Sequence, residues 1–223
     1  MLFESFIMLM QSVVSFFYDL TADVGIPNYG IAIILFTVFI KTLLFPLTAK
    51  QMKSMQAMKL LGPKLKEVQE KYKNDKQEQQ KAIAELYKTE KINPLSGCLP
   101  LLVQMPILSG MFYALRSFKY VSHPGFLWIK NLSAVDHFYI LPILAALTTY
   151  FSSRQNSAGT LNDANPGMKA TMLMMPLVTG FMALHFPAGL GLYWVVSNLM
   201  QLVQQRLLKT SIAGSLENMK KDD

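Results

Sequence analysis

The chain has 223 residues, of which 52% are hydrophobic and only 16% are charged, and its formal net charge is +7 at pH 7. The charges are concentrated between apolar runs that are long enough to cross a bilayer, so little material is left for a water-soluble core. This excludes an ordinary soluble protein and indicates one integral membrane domain. The single cysteine, Cys98, excludes an intrachain disulfide framework, and we interpret it as a structural residue.

The first element, residues 1–28, is predicted to be an extracytoplasmic amphipathic helix and a linker broken by glycine and proline. Polar side chains recur at helical spacing along one stripe of the apolar segment: Glu4, Gln11, Ser15 and Asp19. The stripe favours a helix lying in the membrane interface, with a spanning segment as the alternative. A conventional signal peptide is disfavoured, because no basic residue precedes the segment and no small-residue cleavage pattern closes it.

Residues 29–49 form the first predicted span, an apolar run without an acidic residue and with one cation, Lys41, near its middle. At ~1.5 Å per residue the run covers about 30 Å, the hydrocarbon thickness of a membrane. A central Lys costs roughly 2.5–3.5 kcal/mol on insertion scales. Its stem reaches only about half of the distance to the interface. We therefore predict that protein or water surrounds Lys41 and that it has a function.

Residues 50–96 change to a charged sequence that predicts a helical hairpin with its turn at Asn74-Asp75 and a bend at Gly62-Pro63. Two sparse apolar stripes would form its seam: Leu61, Leu65, Val68 and Tyr72 in one helix, and Ile83, Leu86 and Tyr87 in the other. Residues 50–91 carry eleven Lys against six acidic residues, so the positive-inside rule places the hairpin in the cytoplasm. The amino terminus is then outside.

Met52, Met55 and Met58 recur every three residues just beyond the first span. Their soft side chains could meet lipid, the helix bundle or a passing hydrophobic segment. Lipid contact is the plain interpretation. We retain the three residues as candidate contacts of the hairpin with a substrate or partner.

Residues 97–209 are predicted to contain spans two to five, joined by short loops. The apolar runs are residues 97–115, 138–151, 168–186 and 190–208, and the first three contain prolines that neighbouring helices or water can accommodate. With five spans, the carboxyl terminus is cytoplasmic. The tail, residues 210–223, is expected to be disordered.

None of the five predicted spans contains Asp or Glu, so the bilayer segments supply no carboxylate partner for Lys41. Polar residues recur where they could hold water near it: Thr37 one turn before, Gln104 in the second span, and Tyr193, Ser197 and Gln201 at four-residue spacing in the fifth. Together they predict a hydrophilic groove. Hydrogen bonds between helices, common in membrane bundles, are the alternative.

The sequence predicts no cofactor, metal site or catalytic set, so we do not expect an enzyme. His123, His137 and His185 lack metal-ligand spacing, and no Gly-rich phosphate loop with a following Lys is present. Isolated histidines such as these three are more often solvated or packed than functional.

Eight short sequence motifs follow one another along the chain: FTVFIK (36–41), FPLT (45–48), KINPLSGCLP (91–100), QMP (104–106), LSA (132–134), YILP (139–142), FPAGL (186–190) and VSN (196–198). With them the sequence closely resembles, nearly end to end, the YidC membrane-protein insertases of the Oxa superfamily. The resemblance implies an all-α inner-membrane protein of bacteria with five spans around a groove that opens to the cytoplasm and to lipid. It also implies a mobile cytoplasmic hairpin that receives substrate.

The resemblance implies that the groove residues are Thr37, Gln104 and Tyr193. It also implies that Trp194 is an aromatic contact for an incoming helix. Lys41 stands where bacterial members usually carry Arg. This departure removes bidentate recognition, because an ammonium is a point charge. Electrostatic attraction of an acidic substrate segment remains.

The implied activity is insertion of nascent helices without nucleotide hydrolysis, combined with an assembly-chaperone role. The partners would be nascent membrane proteins and the lipid bilayer, with the Sec translocon, the ribosome and the signal recognition particle receptor as candidates and no sequence-specific nucleic acid. The rival interpretation is a small-anion transporter or channel that uses Lys41 as its binding site. It has less support, because five spans do not divide into equal inverted repeats and intramembrane acids are absent.

Overall fold

The computed structural model describes residues 2–90, 92, 99–118, 125–157 and 166–219 of the protein. Within these ranges the structure is α-helical, with one isolated β-bridge between Phe126 and Ile129. The helices are α1 Leu2–Asp23, α2 Tyr29–Leu43, α3 Phe45–Leu60, α4 Gly62–Lys71, α5 Lys76–Thr89, α6 Leu99–Arg116, α7 Ile140–Ser157, α8 Pro166–Ala183 and α9 Ala188–Met219. The predicted all-α fold is therefore confirmed for the described residues.

The hydrophobic core lies at one end of the bundle, where α2 begins, α6 ends and α9 begins. Helix α9 packs against α2, α6 and α7, while α8 packs mainly against α7. The largest fully buried side chains are Tyr29, Ile33, Phe36, Met111, Leu115, Leu132, Leu190 and Tyr193. Their burial removes the apolar stripes of three helices from solvent and makes this end of the bundle dry.

Residues 125–139 cover this end of the bundle, which we call the loop end. The backbone N–H of Gly189 donates to Leu132 O at 2.8 Å, and that of Ala188 donates to Ala134 O at 2.7 Å. Asn28 caps α2 by accepting from two of its first amides, and its Nδ2 donates to Gly125 O at 3.2 Å. The loop is thereby fixed to both α2 and α9.

The first predicted span is broken at Leu44. Helix α2 ends at Leu43, and α3 begins at Phe45 with an axis bent by 58°. Pro46 explains the break, because its ring has no N–H to donate and clashes with the carbonyl four residues earlier. Since α3 continues to Leu60, the predicted boundary between residues 49 and 50 falls inside a helix.

The predicted hairpin corresponds to α4 and α5, which pack against each other. Asp75 caps α5 by accepting hydrogen bonds from Gln77 N at 3.0 Å and Glu78 N at 3.1 Å, so the turn lies where Asn74-Asp75 predicts it. Helix α4 starts at Gly62, with a proline next, as the predicted bend requires. Leu61 is buried and the rest of the apolar seam is half-buried.

Helix α1 packs against α2 and α6 through buried Met10 and Val14. Its polar stripe partly faces protein, because Gln11 donates to Ala114 O at 3.0 Å and to Ser117 Oγ at 2.9 Å. Phe3, Met8, Leu9, Phe16 and Leu20 are exposed instead. Length and composition thus allow α1 to cross a membrane, as they allow the bent pair α2 and α3. The interfacial position of α1 stays a prediction.

The expectation of a disordered tail is wrong over residues 210–219, because α9 extends to Met219. This segment contains no proline, the residue that breaks a helix most strongly. Residues 220–223, Cys98 and His123 lie outside the described residues.

Candidate functional site

A cavity of about 260 Å³ opens beyond the dry core, toward the side of α3 and the hairpin. It has room for several water molecules. Six helices line it: Lys41 from α2, Gln51 and Met52 among residues of α3, Val103, Gln104 and Ile107 from α6, Thr149, Ser152 and Ser153 from α7, Met175 from α8, and residues 194–205 of α9 in part. Among the described residues, none of those lining the cavity is acidic.

Lys41 lies where α2 passes from the dry core to the cavity. Its Nζ donates to Gln104 Oε1 at 3.1 Å, and Gln104 Nε2 donates to the Tyr193 hydroxyl at 2.9 Å. Ser197 also hydrogen-bonds this hydroxyl. An ammonium has three donors and no acceptor, so two remain for groups that enter the cavity. The sequence-predicted group of Lys41, Gln104, Tyr193 and Ser197 is thus brought together.

Thr37 does not line the cavity. It is fully buried one turn before Lys41, and its hydroxyl donates to Ile33 O of its own helix at 2.6 Å. A threonine in a helix commonly satisfies its hydroxyl in this way. Its predicted contact with a substrate therefore has no geometric support.

Trp194 lines the cavity from α9, and a polar cluster ties this wall to α7. Its Nε1 donates to Thr149 Oγ1 at 3.2 Å. Asn198 Nδ2 donates to Thr148 Oγ1 at 3.1 Å and to Thr149 Oγ1 at 2.9 Å. These bonds fix the indole ring so that its remaining surface can pack against an apolar segment.

The cavity wall near α3 carries four glutamines, Gln51, Gln201, Gln204 and Gln205. Gln204 Nε2 donates to the backbone carbonyl of Lys41 at 2.8 Å, next to the break at Leu44. Sequence reasoning missed Gln51, Gln204 and Gln205. The four-residue spacing from Tyr193 through Ser197 and Gln201 continues to Gln205 and could have revealed that one.

Of the three methionines predicted as hairpin contacts, Met52 lines the cavity from α3. The side chains of Met55 and Met58 lie outside the described residues. The methionine series therefore belongs to the helix that leads from the cavity to the hairpin. Within the described ranges, no three His, Cys, Asp or Glu side chains come together as a metal site.

Comparison with known proteins decides the family. Residues 20–215 match the sequence model of the family described as 60Kd inner membrane protein. The chain belongs to this family. The membrane protein insertase YidC of Citrifermentans bemidjiense is 43% identical over 187 residues, which are 83% of this chain and 34% of that protein.

Two further YidC insertases give the same result. That of Geobacter sp. (strain M21) is 44% identical over 186 residues, 83% of this chain and 34% of that protein. That of Alcanivorax borkumensis is 39% identical over 216 residues, 96% of this chain and 36% of that protein. The resemblance to the YidC insertases of the 60Kd inner membrane protein family is confirmed. The chain spans about a third of the length of the curated relatives it matches.

Proposed function

We propose that this chain is the core of a membrane protein insertase and assembly chaperone of the bacterial inner membrane. Family membership and the names of the relatives, each a membrane protein insertase YidC, support the activity. The observation that carries the mechanism is Lys41, which faces a polar cavity whose described lining contains no carboxylate. A positive charge so placed attracts an acidic segment of an incoming polypeptide.

The electrostatic gain matches the cost that it has to offset. A carboxylate about 4 Å from an ammonium gains about 4 kcal/mol at an effective dielectric constant of about 20. Moving an Asp to the centre of a membrane helix costs roughly 2.5–3.5 kcal/mol. Lys41 therefore offsets the cost of about one acidic residue in the leading segment of a substrate.

The apolar helix of the substrate supplies the rest of the driving force. Each strongly apolar residue contributes about 0.3–0.6 kcal/mol at a span centre, so twenty contribute on the order of 6–12 kcal/mol. This exceeds the remaining cost of a short polar tail. The step then needs no nucleotide hydrolysis.

The proposed membrane arrangement has five spans, formed by α2 with the start of α3, then α6, α7, α8 and the first part of α9. The loop end faces outward, and α4 and α5 lie in the cytoplasm, where their basic residues are favoured. The cavity is then open to the cytoplasm and lipid but closed from outside by residues 125–139. Nascent polypeptides and lipid are the primary partners. The Sec translocon, the ribosome and the signal recognition particle receptor are candidate further partners, and a ribosome would contact the Lys face of the hairpin.

The test is insertion of a single-span substrate into vesicles that contain only this protein. One substrate carries two Asp in its leading tail, and its twin carries two Asn at the same positions. We expect Lys41→Ala to lower insertion of the Asp substrate at least about tenfold, equivalent to about 1.4 kcal/mol, because desolvation of the two charged groups cancels part of the Coulombic gain. The Asn twin should be nearly unchanged. Lys41→Arg is expected to retain insertion of both.

Equal insertion of the Asp substrate by Lys41→Ala and the unchanged protein would remove the charge from the mechanism. Failure of the unchanged protein to insert either substrate would reject autonomous insertion and leave the chaperone role. Chloride flux through the same vesicles, lost in Lys41→Ala, would instead support a small-anion channel.

A further inference from the structure

The end of the cavity next to α3 contains two buried amide side chains whose hydrogen-bonding capacity is incompletely used. Gln51 of α3 is 6% exposed and Gln204 of α9 is 5% exposed, and both line the cavity. Among the residues that the structure describes, Gln51 Nε2 and Gln204 Oε1 are buried without a hydrogen-bond partner. Buried polar atoms are usually paired with protein or with ordered water, so these two leave one acceptor and one donor open beside the cavity.

Gln204 cannot exchange its donor for its acceptor freely. Its Nε2 donates to the carbonyl of Lys41 at 2.8 Å, which fixes the amide orientation and turns Oε1 away from that carbonyl. Reversing the amide would place two oxygens against each other. The pair therefore offers one fixed acceptor, on Gln204, and one donor, on Gln51.

One donor and one acceptor match the two polar groups of a peptide bond. A carboxylate would be attracted by Gln51 but repelled by the oxygen of Gln204, and an ammonium would be repelled by Lys41, which lines the same cavity. The C=O and N–H of a peptide backbone satisfy both atoms without a net charge. Apolar neighbours, Leu47, Val103 and Met175, line the same cavity and disfavour a strongly hydrated ligand.

An incoming polypeptide has free backbone groups only before its helix forms. In an apolar environment each unpaired N–H or C=O is costly, and a closed helix pairs them all internally. We propose that Gln51 and Gln204 bind the backbone N–H and C=O groups of an extended segment of the incoming polypeptide. This site binds the backbone independently of the substrate's sequence, whereas Lys41 attracts acidic side chains. The inference rests on the proposed insertase function.

The test replaces single peptide bonds of the substrate's leading tail by esters, one position at a time. An ester lacks the N–H donor and has a weaker acceptor oxygen, but it leaves every side chain unchanged. We expect esters at one or two neighbouring positions to lower insertion by about two- to tenfold, the effect of one hydrogen bond, and esters elsewhere to have no effect. The unchanged protein is used, so its folding is not at issue.

Two variants connect the effect to the glutamines. In Gln204→Met the sensitive ester should cause little further loss, because the acceptor of the missing N–H is gone. In Gln51→Met it should lose only the part of its effect that comes from the weaker carbonyl acceptor. Gln51→Met also leaves the contact between Gln204 and Lys41 intact. Gln80→Met, at an exposed site on α5, is the matched control and should keep the full ester effect.

A flat ester scan with normal insertion of the all-amide substrate overturns the inference and leaves the insertase function standing, since water alone would then satisfy the two amides. An ester effect that persists in both glutamine variants also overturns it. If the unchanged protein does not insert the all-amide substrate, the proposed insertase activity itself fails.

Discussion

The hydroxyl of Tyr193 lies 2.9 Å from Nε2 of Gln104, and this contact decides which end of the Gln104 amide faces Lys41. Because Nε2 is used by the tyrosine, the oxygen is directed to the ammonium at 3.1 Å. Tyr193 is 1% exposed and begins the polar side of α9 directly after the dry core. It therefore positions the charged group without lining the cavity itself.

We predict that Tyr193→Phe lowers insertion of an acidic-tail substrate by a few fold. The change leaves the half-buried Gln104 amide without its tyrosine partner and lets the amide turn its N–H groups toward Lys41. Insertion yield with the Asp substrate and its Asn twin measures the effect. Tyr113→Phe, on the exposed side of α6, is the control. A similar loss for both substrates would indicate general destabilisation instead of lost positioning.

Gly30 permits the loop end to close, because a Cβ at this position would lie 2.1 Å from Cγ of Phe126. We predict that Gly30→Ala displaces the Phe126 ring and destabilises the protein by about 1–3 kcal/mol, as overpacking does. The midpoint of thermal unfolding in detergent micelles measures this. In the double variant with Phe126→Ala the added methyl has space, so the two losses should be less than additive. Strict additivity would show that the ring is not what excludes a methyl group.

The sequence predicted features whose causes are local. Asn74-Asp75 specifies its turn through the Asp75 carboxylate, and the later apolar runs specify, to within two residues, where α6, α7, α8 and α9 begin. The spacing of Tyr193, Ser197 and Gln201 also placed one polar face on α9. Within the candidate site, these short-range patterns sufficed to bring Lys41 and the polar residues of α9 to one place.

Features that depend on a choice between partners were not predictable in this way. Thr37 has the helical position to reach the groove, but its hydroxyl bonds Ile33 O because that acceptor is always one turn away. Gln204 acquires its role only because α2 breaks at Leu44 and leaves the Lys41 carbonyl near α9. Gln11 likewise lies on a polar stripe that suggested water, yet it binds α6.

Asp136 is a buried carboxylate, 5% exposed, that caps the start of α7. Its Oδ1 accepts from Phe138 N at 3.1 Å and its Oδ2 from Leu141 N at 2.8 Å. We predict that Asp136→Ala lowers stability by about 0.5–2 kcal/mol, the range for loss of a helix cap. Asp136→Asn should lose less, because one acceptor oxygen remains.

Thermal unfolding in detergent tests the role of this cap. The control is Asp23→Ala, because Asp23 is exposed at the end of α1, where a negative charge meets the unfavourable end of the helix dipole. Its removal should be neutral or slightly stabilising. A loss in Asp136→Asn as large as that in Asp136→Ala would show that charge, and not the number of acceptors, is what α7 requires.

Lys64 and Glu90 close the base of the hairpin, with Nζ and Oε1 2.5 Å apart. The hydrogen bond to Glu90, and next its negative charge, raise the pKa of Lys64 above the usual value of 10.5. A raised pKa means that the stabilisation is complete below 10.5 and is lost as the pH rises through the higher value of the folded protein. The pair is exposed, so salt also weakens it.

We therefore predict that the closed fraction of the hairpin is constant from about pH 7 to about pH 9 and falls slightly only when the pH exceeds 10.5. A fluorescence donor and acceptor at the start of α4 and the end of α5 measure this fraction through their distance. Because an exposed ion pair stabilises only weakly, Glu90→Gln should lower the closed fraction of the hairpin at neutral pH by a small amount, to the extent that high salt lowers it in the unchanged protein. Glu85→Gln, exposed on the same helix, should not. An unchanged distance in Glu90→Gln would show that the apolar seam and the hydrogen bond from Gln79 Nε2 to Gln69 O hold α4 against α5 without the ion pair.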